Sequence, residues 1–212
     1  MTSTDAILFD YDDTLVQTRQ CRFAAIKAVA RRWYGVELSE ERIERFWGME
    51  YRAFFREVFS GLDDNIGRLT SRYESLDAEF PIQLHPDAQP ALQALSQSYR
   101  LGILTAVGKT LLERQLQDLG ISAGLFSVLQ AAEDTLVHKP DSAVFLPSLA
   151  KLRDLRVTPE RVTYVGDSLN DWIAASGAGL RFIAVDRGSV SPEEFHQRAV
   201  RVVSSLEELV SA

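Results

Sequence analysis

Cys21 is the single cysteine of the 212-residue chain. No internal disulfide can brace the fold, so its stability has to come from a packed core. One thiol also fits a reducing compartment, and a cytoplasmic location is expected. No apolar run approaches the roughly 20 residues that a membrane-spanning helix needs, so no membrane association is expected. Met1-Thr2-Ser3-Thr4-Asp5 has neither the basic charge nor the apolar stretch of a secretory leader. Positive charge is scarce as well: 23 Lys and Arg face 30 Asp and Glu, a net charge of -7. That balance argues against nucleic acid as a partner, since a duplex binder usually carries a basic surface. His85, His138 and His196 are scattered and show no metal-ligand spacing. Apolar residues, in contrast, make up 46% of the chain, enough for one generous domain or a core with a smaller lobe. Nothing in the composition fixes an oligomeric state.

The apolar residues change rhythm along the chain. Ile7, Leu8 and Phe9 read as a buried strand. From about Thr18 to Phe80 the periodicity is helical. Phe23, Ile26, Ala30 and Trp33 share one helix face with Gly35 as its stop, and Ser39 is placed to cap the next helix. Tyr51 to Phe59 continues in kind up to Gly61, and a further helix is expected over 64–78. After Pro81 and Pro86 the regime alternates. Asp87 reads as an N-cap, followed by strands near 100–105, 126–129, 162–165 and 182–185 with helices between them, and by a last helix near 204–210. Short apolar strands alternating with helices indicate an α/β fold with a doubly wound parallel sheet. The helical block then reads as an insertion. The expected division is a core domain of residues 1–16 and 83–212 and an α-helical domain of residues 17–82.

Where the first strand stops, Asp10-Tyr11-Asp12-Asp13-Thr14 packs three carboxylates into four positions. A buried strand does not normally end in clustered like charge, because repulsion and desolvation both oppose it. A hard cation such as Mg2+ would make the cluster tolerable. In an open parallel sheet, ligands bind at the carboxyl edge of the strands. Later strands and loops deliver Thr105 and Ala106, then Lys139-Pro140, then Gly166-Asp167-Ser168-Leu169-Asn170-Asp171 to that edge. Carboxylates, a hydroxyl and an amine together suit phosphoryl transfer. One acid can attack phosphorus, and a second, two residues on, can move the proton of the leaving oxygen.

These four segments, in this order, resemble the motifs of the haloacid dehalogenase superfamily over nearly the whole chain. The likeness implies a Rossmann-like core with an inserted helical cap of the C1 type, as in phosphoglycolate phosphatases. It implies Mg2+ as cofactor and a small phosphorylated metabolite as substrate. It implies Asp10 as nucleophile and metal ligand, Asp12 as general acid/base with its carbonyl on the metal, and Asp167 as a further metal ligand. Thr105 and the amide of Ala106 would bind phosphate, although many relatives carry Asn where Ala106 stands. Lys139 would stabilise the charge of nucleophile and phosphate, with Lys109 as the weaker contender. Asp171 would act through water or a second shell of contacts, and Asp13 would be a turn acid. Relatives that cleave carbon–halogen bonds lack the second acid, so Asp12 favours phosphoester cleavage. The alternatives are a β-phosphoglucomutase-type phosphomutase and a binding or regulatory protein with little turnover.

Overall fold

The computed structural model describes residues 4–47, 49 and 51–210. The expected leaderless start and the outer ends of the core segment, at 1 and 212, fall outside the described residues. In chain order the elements are β1 (Ala6–Asp10), α1 (Thr18–Tyr34), α2 (Glu40–Glu44), α3 (Tyr51–Val58), α4 (Ile66–Glu74), α5 (Ala88–Leu95) and β2 (Arg100–Leu104). They continue with α6 (Lys109–Asp118), β3 (Phe126–Gln130), α7 (Leu146–Asp154), β4 (Val162–Gly166), α8 (Leu169–Gly177), β5 (Arg181–Val185), α9 (Pro192–His196) and β6 (Arg201–Val203). The chain divides into two compact units, one running up to Gln17 and resuming at Leu84, the other spanning Thr18–Gln83.

The first unit is a six-stranded sheet in the order β3-β2-β1-β4-β5-β6, with every pairing parallel. Both faces are covered, which explains why β1 is buried at all five positions and reads as a continuous apolar run. The chain winds outward from β1 to β3, then returns to β4 on the other side of β1. Strand order therefore reverses between β1 and β4, and an open α/β sheet forms its ligand crevice at such a reversal. Gly102 lets β1 and β3 close on β2: a Cβ there would lie 2.5 Å from Leu8 Cδ2 and 3.0 Å from Val128.

The second unit is helical. Phe23, Ile26, Val29 and Ala30 of α1 pack with Ile43, Phe54, Phe55, Val58, Phe59 and Leu69 in a core of its own. Gly35 and Gly61 follow α1 and α3 with φ of 65° and 79°, a backbone that glycine adopts without strain. Ser39 caps α2 by accepting the Arg42 N–H.

Several expected elements differ. The helix placed at 64–78 is only α4, because Asn65, not Asp64, supplies the cap and accepts the Arg68 N–H at 3.0 Å. Asp87 precedes α5 but makes no cap bond. Its carboxylate instead accepts from Arg187 Nη2 and from the Leu206 N–H, each at 2.8 Å. The expected helix after Asp141 opens as a 3-10 turn over Ser142–Phe145 before α7 begins, and the expected last helix is only a 3-10 turn at Leu206–Leu209. β6 and α9 were not expected; three and five residues are too few to show a period.

Asp63 organises the polar side of the helical unit. Its oxygens accept from Arg68 Nε at 2.7 Å, Arg68 Nη2 at 2.5 Å, the Tyr34 hydroxyl at 2.5 Å and the Asn65 N–H at 2.9 Å. Arg68 first, then Tyr34, hold its carboxyl well below the usual carboxylate range. A depressed carboxyl stabilises the fold above the unfolded-state pKa of about 4 and loses that contribution as pH falls below it. Replacing Asp63 by Ala should therefore cost about 2–4 kcal/mol in urea denaturation at pH 7. The gap from the wild type should narrow between about pH 4 and pH 2. A gap that stays constant with pH would show that the charge of Asp63 is not its source.

Candidate active site

The site grows from the ends of β1 and β4. β1 finishes on Asp10, and the chain turns at once: the Leu15 and Val16 N–H groups donate to the Tyr11 carbonyl at 3.0 and 3.2 Å. Asp13 takes a φ of 55°, a left-handed geometry that Asp and Asn tolerate better than most residues, as suits a turn acid. β4 finishes on Gly166, and Asp167 follows on the neighbouring strand.

Lys139 joins these ends. Its ammonium donates to Asp10 Oδ1 and to Asp171 Oδ1, both at 2.7 Å, and lies 3.2 Å from the Tyr164 hydroxyl. Asp171, fully buried in the first turn of α8, is the most heavily bonded acid here. One oxygen accepts the Ser168 N–H at 3.1 Å and the Ser168 hydroxyl at 2.6 Å; the other accepts Lys139 and, at 3.2 Å, the Tyr164 hydroxyl. Four donors occupy the four acceptor positions of a carboxylate. Ser168 completes a reciprocal capping box by accepting the Asp171 N–H.

Asp167 is held differently. Thr14 Oγ1 donates to one of its oxygens at 3.3 Å and Ser189 Oγ to the other at 2.5 Å. Thr105 accepts the Val107 N–H at 3.0 Å and donates to Asp12 Oδ2 at 3.4 Å, which links the second acid to the end of β2. Ala106 follows Thr105, exposed and without a polar side chain. Lys109, the rival lysine, begins α6, where its N–H donates to Glu133 Oε2 at 2.9 Å; Lys139 is the lysine that reaches Asp10.

The structure thus gathers Asp10, Lys139, Asp167 and Asp171 in one cluster and pairs Asp12 with Thr105 beside it. Tyr164, Ser168 and Ser189 belong to it too, and sequence reasoning passed over their contacts. Ser168 had a visible signal, a Ser three residues before an Asp at a helix start. Ser189 had a weaker one: its loop follows β5 and so opens on the same edge of the sheet.

The electrostatics are unbalanced. Carboxylate oxygens of Asp10, Asp167 and Asp171, all buried, lie within 4.8 Å of one another. Burial pushes the Asp10 carboxyl well up, with Lys139 opposing it. Burial, reinforced by the charge of Asp171, pushes Asp167 up to about 7. Burial alone would depress Lys139, but Asp10 and Asp171 outweigh it and keep the ammonium charged. Ionised together, the three carboxylates would leave two negative charges against one ammonium; the upward push on Asp10 and Asp167 opposes that state, and a divalent cation would relieve it. The donor set fits such an ion, since buried carboxylate oxygens are the ligands that Mg2+ prefers. Asp10 and Asp167 retain acceptor positions for it, whereas those of Asp171 are taken.

Gly166 makes room for this arrangement. A Cβ there would lie 2.6 Å from Asp171 Cγ and 2.7 Å from its Oδ2. Gly166→Ala should therefore push Asp171 off Lys139 and Ser168 and destabilise the first unit by about 1–3 kcal/mol. An unchanged melting temperature would mean that α8 shifts freely and that the close approach is not a constraint.

A family model described as haloacid dehalogenase-like hydrolase matches residues 7–185 of the chain. The protein CbbY of Cereibacter sphaeroides is 29% identical, with 97% of this chain and 94% of that protein covered. A phosphoglycolate phosphatase of the same organism is 28% identical, with 86% and 85% covered. The crystal structure of CbbY from Rhodobacter sphaeroides in complex with phosphate superposes with a TM-score of 0.73 at 26% identity, covering 97% of this chain and 96% of that one. A mutant of that protein has been crystallised with xylulose-1,5-bisphosphate.

Proposed function

The chain belongs to the haloacid dehalogenase-like hydrolase family, and from that premise we propose that it is a Mg2+-dependent phosphatase that hydrolyses a small phosphomonoester through an aspartyl-phosphate. The observation that carries the reading is the buried cluster of Asp10, Asp167 and Asp171 with Lys139, three carboxyl groups gathered on one ammonium. Its similarity to a phosphoglycolate phosphatase and to CbbY, crystallised with phosphate, points to phosphorylated small molecules as substrates.

In the proposed reaction an Asp10 oxygen attacks phosphorus and the bond to the leaving alkoxide breaks. Asp12 gives that alkoxide its proton. Asp12, now ionised, takes a proton from water, whose oxygen attacks the aspartyl-phosphate and releases inorganic phosphate and Asp10. The Thr105 hydroxyl, 3.4 Å from Asp12 Oδ2, sits where it can orient that acid or hold a phosphoryl oxygen. The N–H of Ala106 is the accompanying phosphate donor. Lys139 opposes the upward push of burial on Asp10 and offsets charge on the transferring group. Asp10, Asp167 and the Asp12 carbonyl would hold the Mg2+, and Asp171 would act by fixing Lys139. When bound there, the ion neutralises the carboxylates and draws charge from the phosphoryl oxygens. An acid at Asp12 suits an alkoxide leaving group, which needs a proton; a halide would not.

A phosphate-release screen over phosphorylated metabolites with Mg2+ tests this. At least one small phosphomonoester should be hydrolysed, and chelation with EDTA should stop the release. Asp10→Asn should show nothing above background, and Asp12→Ala should lose about 10²–10⁴-fold in kcat. Full activity of Asp10→Asn would remove the nucleophile, and an isomerised sugar phosphate without net phosphate release would assign a mutase instead.

A further inference from the structure

Asp167 has a second feature that the proposed reaction does not use: the loop after β5 reaches it. Ser189 Oγ donates to Asp167 Oδ2 at 2.5 Å, opposite the Thr14 hydroxyl at 3.3 Å on Oδ1. That loop is tied down along its length. The Asp186 N–H donates to the Val203 carbonyl at 2.8 Å, and the Gly188 N–H donates to Asp186 Oδ1 at 3.0 Å. Gly188 turns the chain with a φ of 79°. Between them, Arg187 Nη2 donates to the Thr14 carbonyl at 3.1 Å and to Asp87 Oδ1 at 2.8 Å, and Asp87 is itself anchored by the Leu206 N–H.

One short loop therefore controls both sides of one carboxylate. Arg187 fixes the backbone of Thr14, whose hydroxyl holds one oxygen, and Ser189 holds the other directly. The need is physical. Asp167 is buried beside Asp171, with Asp13 adding repulsion, and a donor on each of its oxygens fixes the plane of its carboxylate. Each hydroxyl uses one of the two lone pairs on its oxygen and leaves the other free to face a cation. Ligating carboxylates are commonly oriented by such outer hydrogen bonds.

We propose that Ser189 is a positioning residue of the cation site, fixing the Asp167 carboxylate in the orientation that binds a divalent metal. This rests on the reading that Asp167 is a metal ligand, and the test separates the two. Mn2+ is titrated into the whole protein and followed by its EPR signal, with Mg2+ as competitor, for the wild type, Ser189→Ala, Ser189→Thr and Asp167→Asn. Ser189→Ala should raise the Mn2+ Kd about 10-fold or more, and Ser189→Thr, which keeps the donor, should return it to within about threefold of the wild type. Metal-free melting temperatures check that the variants fold. If the Ala variant folds poorly, Ser189→Cys, similar in size but a weak donor, takes its place in the comparison. A Kd for Ser189→Ala within about twofold of the wild type, while Asp167→Asn still abolishes binding, overturns the role of Ser189 and leaves the proposed function standing. A wild type that binds no Mn2+ overturns the cation reading, and this inference with it.

Discussion

Like charge held out of water is the constraint on which this structure turns. Three buried carboxylates within 4.8 Å of one another would repel strongly, since a protein interior screens charge far less than water does. Lys139 contacts two of the three directly, and its ammonium is kept charged by the acids it serves. The lysine and the acids are thus mutually dependent. Removing either partner leaves the other buried and uncompensated, which costs far more than the intact pair contributes. What remains is a deficit of positive charge at one point, and a divalent ion bound by Asp10 and Asp167 would meet it.

The sheet brings that point into being. β1 and β4 are hydrogen-bonded neighbours although about 150 residues separate them, and the chain reverses its direction of winding between them. Asp10 and Asp167 leave adjacent strands at the same edge for that reason alone. Lys139 arrives from the segment between β3 and α7, Thr105 from the end of β2, and Ser189 from the loop after β5. No two of these five residues come from the same connection. The packing that fixes the strands therefore fixes the site: Gly102 permits β2 to close on β1, and Gly166 lets the Asp171 side chain lie against β4.

Much of this was legible in the residues. β1 is apolar at nearly every position because it is buried on both faces, and the acids at its end contradict that burial so sharply that a cation was the natural inference. The helices of the second unit announced themselves through Phe23, Ile26, Ala30 and the glycines at their ends. Contacts made over long sequence separations stayed out of sight. Asp87 carries the residue type of a cap, but Arg187, 100 positions away, takes its carboxylate. Ser189 and Tyr164 look like an ordinary loop hydroxyl and an ordinary strand aromatic until the fold sets them against Asp167 and Asp171. β6, at three residues, is too short for any period to mark it.

The acids of this edge share a residue type, so their chemistry must be sorted by their donors. Asp171 is saturated: a backbone amide, two hydroxyls and an ammonium occupy it. An acid so bonded has its acceptor positions taken, and in the proposed reaction it would orient Lys139. Asp167 has a hydroxyl on each oxygen and a lone pair to spare on each, as the proposed metal ligand would need. Asp10 has Lys139 on one oxygen, a contact that would orient it as the proposed nucleophile. Asp12 is less buried than Asp10 and meets the Thr105 hydroxyl at 3.4 Å, a setting that suits the proton carrier of the proposed reaction. In the proposed reaction the parts of these acids are thus set by neighbours that the spacing of the acids does not encode.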